Sequence, residues 1–116
     1  VGHAWEMANA SAVTIVLHAS AVPLIGPTLD LARGGVLTRA HKSTLASLGG
    51  RFRADGVDDA LVSVLSDAQT SGGLLISLPS ENAQAALASL KAAGVTRAAA
   101  VGMVVHRGDA DTILRG

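Results

Sequence analysis

The chain has no cysteine and no tyrosine, and its aromatic side chains are Trp5 and Phe52. The missing thiols exclude disulfides, thiolate metal sites and a cysteine nucleophile. The scarcity of aromatics means the core must be built from alanine and aliphatic side chains, which lets elements approach closely. Charge of one sign is also lacking: nine basic and nine acidic residues cancel. No basic stripe exists to follow a nucleic-acid backbone, so no nucleic-acid partner is expected. No apolar run approaches the ~20 residues of a membrane span. The start, Val1-Gly2-His3-Ala4-Trp5, has neither the charged nor the apolar part of a signal peptide. A soluble cytoplasmic protein without a membrane partner is the expectation.

What is present suffices for a core. An apolar share of 49% in 116 residues excludes a disordered chain. It suits one domain spanning residues 1–116.

Residues 3–10 read as a short helix with Ala4, Trp5 and Ala8 on one face, and the chain opening inside this element hints at a fragment. Residues 12–18 alternate as a half-buried strand. Pro27 suits the first turn of a helix through Leu29, Leu31 and Ala32 that stops at Gly34-Gly35. Residues 40–48 have helical spacing, residues 51–58 read as a loop, and Asp58-Asp59 can start a helix through Leu65. Leu74 to Leu78 reads as a buried strand. Ser80 reads as N-cap of a helix over 81–93 that Gly94 closes. Residues 98–105 read as a strand in which Gly102 permits close approach. Arg107 to Asp109 is a turn, and Thr112 to Leu114 is a last strand able to pair with the preceding one as a hairpin. The order predicts a mixed-sheet α/β or α+β domain.

Two polar segments could carry chemistry. Asp67-Ala68-Gln69-Thr70-Ser71-Gly72-Gly73 offers an acid, an amide and two hydroxyls before a glycine pair. It is either a loop whose amides hold an anion or a polar turn capping the preceding helix. It is no P-loop, since no lysine follows the glycines and a strand, not a helix, comes next. Gly35 to Leu45 gathers Arg39, His41 and Lys42 with Thr38, Ser43 and Thr44. It is either an anion-contacting loop or a solvated helix start. His3, His18, His41 and His106 share no ligand spacing and read as satisfied surface or edge histidines, so no metal site is expected. Asp55, Asp58 and Asp59 read as a solvated loop and helix start.

The segment Leu65 to Leu75 resembles the Leu-Cys-Asp-Pro-Gln-Thr-Ser-Gly-Gly-Leu-Leu pattern of the selenophosphate synthetase (selenide, water dikinase) family. Ser66 stands for its cysteine and Ala68 for its proline, and the other positions agree. Gly2 to Ala8, Val22 to Leu24, Leu31 to Val36, Leu45 to Gly49 and Ala99 to Val104 resemble further family stretches in order. The family's Pro-Gly-Gly-Thr-x-Arg-Asn is replaced by Thr38 to Thr44.

The resemblance implies the C-terminal domain of a two-domain, dimeric enzyme built like aminoimidazole ribonucleotide synthetase, partly ferredoxin-like. Such enzymes turn ATP, selenide and water into selenophosphate, AMP and phosphate with magnesium. The catalytic lysine and cysteine and most of the metal-binding aspartates belong to the N-terminal domain, which this one covers. No catalytic or metal-binding residue is therefore assigned here, and no cofactor is expected for this domain alone. Asp67, Gln69, Thr70, Ser71, Gly72 and Gly73 are the candidates to face substrate or nucleotide. The alternatives are the matching domain of a related ATP-using enzyme, such as aminoimidazole ribonucleotide synthetase or thiamine monophosphate kinase, and a non-catalytic binding or regulatory module of the same fold.

Overall fold

The computed structural model describes residues 1–68 and 72–116. It is a four-stranded mixed sheet layered with helices. In chain order come α1 (Gly2–Ala10), β1 (Val13–His18), α2 (Thr28–Arg33), α3 (Ala40–Leu48), β2 (Phe52–Asp55), α4 (Asp59–Leu65), α5 (Ala83–Ala92), β3 (Gly102–His106) and β4 (Thr112–Arg115). The strand order is β2-β4-β1-β3. β4 runs parallel to both its neighbours, whereas β3 runs antiparallel to β1.

The main core lies where α1 and α4 meet the sheet. Ala4 and Ala8 of α1 pack with Ile15, Leu17 and Leu114, and Leu61, Val62 and Leu65 of α4 close around them. Two alanines one helical turn apart let α1 sit close to the strands, as an aromatic-poor sequence requires. The opposite face is thinner, made by Val16, Ala110 and Ile113.

Several expectations hold. α1, β1, α2, α3, α4 and β4 fall where the sequence placed them. Asp58 is the N-cap of α4, its Oδ1 accepting from the amides of Ala60 and Leu61 at 2.8 and 3.3 Å. Gly94, at φ 91°, follows α5, and Val95 N–H reaches back to the carbonyl of Leu90 at 2.9 Å, a Schellman ending. Ala83, Ala86, Leu87 and Leu90 are the half-buried side of α5. Gly102 does permit close approach: a Cβ there would sit 2.1 Å from the Val16 carbonyl oxygen.

Others are corrected. Residues 52–55 are a strand, not a loop; only Phe52 packs against the core, and Arg53 and Asp55 pair on the surface at 2.9 Å, so the segment has no apolar alternation. Residues 74–78 are neither strand nor buried, Leu74 being 91% exposed. Ser80 does not cap a helix. It opens a 3₁₀ turn, Ser80–Asn82, and the α-helix begins at Ala83. The penultimate strand begins at Gly102, not Ala98.

The last two strands are not a hairpin. They flank β1 on opposite sides, and residues 107–111 carry the chain across its end. Thr14 of β1 pins this crossing: its hydroxyl donates to the Ala110 carbonyl at 2.5 Å and accepts from Gly108 N–H at 3.0 Å. Asp111, fully buried, receives Arg51 Nε at 2.8 Å and lies 3.1 Å from an Arg107 amino group. The Arg51 hydrogen bond leads in holding its carboxyl below the usual carboxylate range, against the cost of burial.

Candidate functional site

The glycine pair that ends α2 shapes the site. Gly35 adopts φ 85°, and Val36 N–H bonds the Leu31 carbonyl at 2.9 Å, again a Schellman ending. The chain therefore turns sharply and delivers Thr38 to the start of α3. There Ala40 N–H donates to Thr38 Oγ1 at 3.1 Å, and the Thr38 hydroxyl donates to Asp67 Oδ1. Asp67 follows the C-cap residue of α4, with its own N–H on the Val64 carbonyl at 3.2 Å. One hydroxyl thus joins two polar segments 29 residues apart.

Two adjoining concavities flank this junction. One, of about 330 Å³, is apolar and is lined by Pro23, Leu24, Ile25, Leu31, Val36 and Val64, with Asp67 and Thr38 at its edge. The other, of about 250 Å³, is lined by Gly35, Leu37, Thr38, Arg39, His41 and Lys42. Leu37 and Thr38 belong to both. His41 is only 6% exposed, which corrects its reading as a surface or edge histidine. Its Nδ1 lies 2.6 Å from the Thr38 carbonyl, which can only accept, so Nδ1 carries the proton and the ring braces the loop.

The candidates from the sequence are distributed unevenly. Asp67 is half-buried at the junction. Gln69, Thr70 and Ser71 lie outside the described residues. Gly72 and Gly73 are exposed, and among the described residues no other segment comes within 4 Å of where a Gly73 side chain would begin. Sequence reasoning missed the pairing of Thr38 with Asp67. The only signal available was that both polar segments stand beside helix ends. Ser66, at the position of the family's cysteine, is buried, and its hydroxyl has no partner among the described residues.

Among the described residues no three His, Asp or Glu side chains gather to hold a metal ion. The Asp58 carboxyl is held below its ordinary range, first by the hydrogen bond from Arg33 and then by the two amides it caps. That is a structural role, as the sequence suggested. Among the described residues no helix is long and apolar enough to cross a membrane.

Comparison with known proteins matches residues 1–115 to the family described as AIR synthase related protein, C-terminal domain. The chain is similar to selenide, water dikinase 2 of Peptoclostridium acidaminophilum, with 31% identity over 114 residues, covering 98% of this chain and 33% of that protein. It is 37% identical over 115 residues to the selenide, water dikinase of Desulfitobacterium hafniense (strain Y51), covering 99% of this chain and 33% of that protein. With the enzyme of that name from Myxococcus xanthus (strain DK1622) it shares 41% over 99 residues, covering 84% and 28%. The chain spans about a third of the length of these curated relatives. The mixed sheet layered with helices and the end-to-end family match agree: the chain belongs to the AIR synthase related protein, C-terminal domain family.

Proposed function

We propose that this chain is the C-terminal domain of a selenophosphate synthetase-like enzyme, a selenide, water dikinase, acting in the cytoplasm. In the parent, ATP, selenide and water give selenophosphate, AMP and phosphate. The N-terminal domain of the same protein binds ATP and magnesium and carries the catalytic groups, and the parent is a homodimer. This domain covers the active site, with Asp67, Gln69, Thr70, Ser71, Gly72 and Gly73 as the loop that faces substrate or nucleotide.

The observation that carries this reading is the Thr38–Asp67 junction beside an apolar concavity. Ile25, Leu31, Val36 and Leu37 are exposed around it. A ring of exposed aliphatic side chains about a polar loop is what a surface covered by a partner domain presents.

The expected result is that the chain alone forms no AMP from ATP and selenide, while the parent does. AMP formation by the chain alone overturns the reading. The family description supports a second reading, because it names AIR synthase relatives in general. Under it, the chain is the matching domain of another ATP-using enzyme, such as aminoimidazole ribonucleotide synthetase or thiamine monophosphate kinase. A parent that consumes ATP without selenide selects that reading. A parent that consumes none selects a non-catalytic module.

A further inference from the structure

The carboxylates of this molecule are unevenly spent on its cations. Arg33 pairs with Asp58, Arg51 and Arg107 share Asp111, and Arg53 pairs with Asp55. Among the described residues, Arg39, Lys42, Lys91, Arg97 and Arg115 have no carboxylate partner, and of these Arg39 and Lys42 share one concavity. They are three residues apart at the start of α3, and both line the 250 Å³ concavity. Two like charges on adjacent positions of one helical face repel, a modest cost that an anion between them removes.

Their setting is ordered. His41, on the same wall, is buried and tied to the Thr38 carbonyl, and the Thr38 hydroxyl is tied to Asp67. Asp67 lines the neighbouring concavity, where its carboxylate accepts the Thr38 hydroxyl. An arginine fork and a lysine point charge on one small concavity match a tetrahedral oxyanion.

We propose that Arg39 and Lys42 form a phosphate subsite in this concavity, which takes inorganic phosphate or the phosphate end of a nucleotide monophosphate. The inference deepens the proposed function and rests on it for the ligand class. Arg39 stands where the family pattern that the segment resembles has a glycine.

The test is a titration of the 116-residue chain, followed by the backbone amide resonances of residues 38–43, at constant ionic strength made up with chloride. Inorganic phosphate and AMP are the two probes. Saturable shifts at residues 38–43, with Kd on the order of 1 mM, are expected. The double variant R39Q/K42Q is expected to bind about tenfold more weakly or worse. Both side chains are exposed, so the variant keeps the wild-type fold, which its amide spectrum checks. AMP shifts that extend to Leu31 and Val36 assign the phosphate to a nucleotide lying in the apolar concavity; shifts confined to residues 38–43 assign it to free phosphate.

Three results each overturn the proposal: no saturable shift at residues 38–43, unchanged affinity in the variant, or an equal response at Lys91 and Arg115, which signals screening alone. Failure of the parent reading shows separately. The chain then binds phosphate while the parent forms no AMP with selenide.

Discussion

β3 and β4 are short, apolar strands that both pair with β1, yet they live in different surroundings. In β4, Thr112, Ile113 and Leu114 are buried. In β3 every residue from Gly102 to His106 is exposed. Composition does not separate them: Met103, Val104 and Val105 are as apolar as Ile113 and Leu114. Position does. β4 has strands on both sides and α1 near it, whereas β3 is an edge strand of the sheet. An apolar strand is buried by its neighbours, and its own side chains only make that burial favourable.

The largest expected effect sharpens this contrast. Leu114→Ala empties a fully buried position in the main core and should cost about 3–4 kcal/mol. Val104→Ala, at 46% exposure, should cost less than about 1 kcal/mol. Urea unfolding of both variants measures the difference, and equal losses would break the comparison. Next comes the one place where the edge strand is tightly constrained. Gly102→Ala drives a methyl into the Val16 carbonyl and should cost about 2 kcal/mol despite the exposure of Gly102. A wild-type midpoint for that variant would show that β3 is loosely held throughout.

A more modest effect than that of Gly102→Ala concerns the crossing between the two strands. Asp111→Asn keeps the shape but removes the charge that Arg51 and Arg107 share, at about 1–2 kcal/mol. Its pH signature follows from sign. The folded carboxyl of Asp111 is held below its unfolded value, so its stabilisation is complete above about pH 4–5 and disappears as pH falls through the depressed folded value. Acid titration of the unfolding midpoint should therefore separate wild type from Asp111→Asn above that range and bring the two together below it.

Local signals were readable where the sequence carries their cause. Alternation announced β1, glycine pairs announced the ends of helices, and Asp58 announced its cap. β2 was hidden because Phe52-Arg53-Ala54-Asp55 has one core contact and a surface ion pair. Residues 74–78 misled for the converse reason: they are apolar, but no strand of this sheet pairs with them. The alternation in β1 predicts a half-buried strand, yet Thr14 and Val16 are buried as well, because the 107–111 crossing covers the second face. At the site, both polar segments were visible, but the hydroxyl that unites them depends on how α2, α3 and α4 pack, which no local pattern encodes.

The crossing also sets a timetable. The two central strands, β1 and β4, come from opposite ends of the described chain, and Thr14 must reach Ala110 across 96 residues. Such distant partners close their loop late and slowly. On the ribosome, helices α1 to α4 can form as they emerge, but the sheet has no centre until residues 112–115 leave the exit tunnel. Until then Ile15 and Leu17 lack Leu114, with which they form the core.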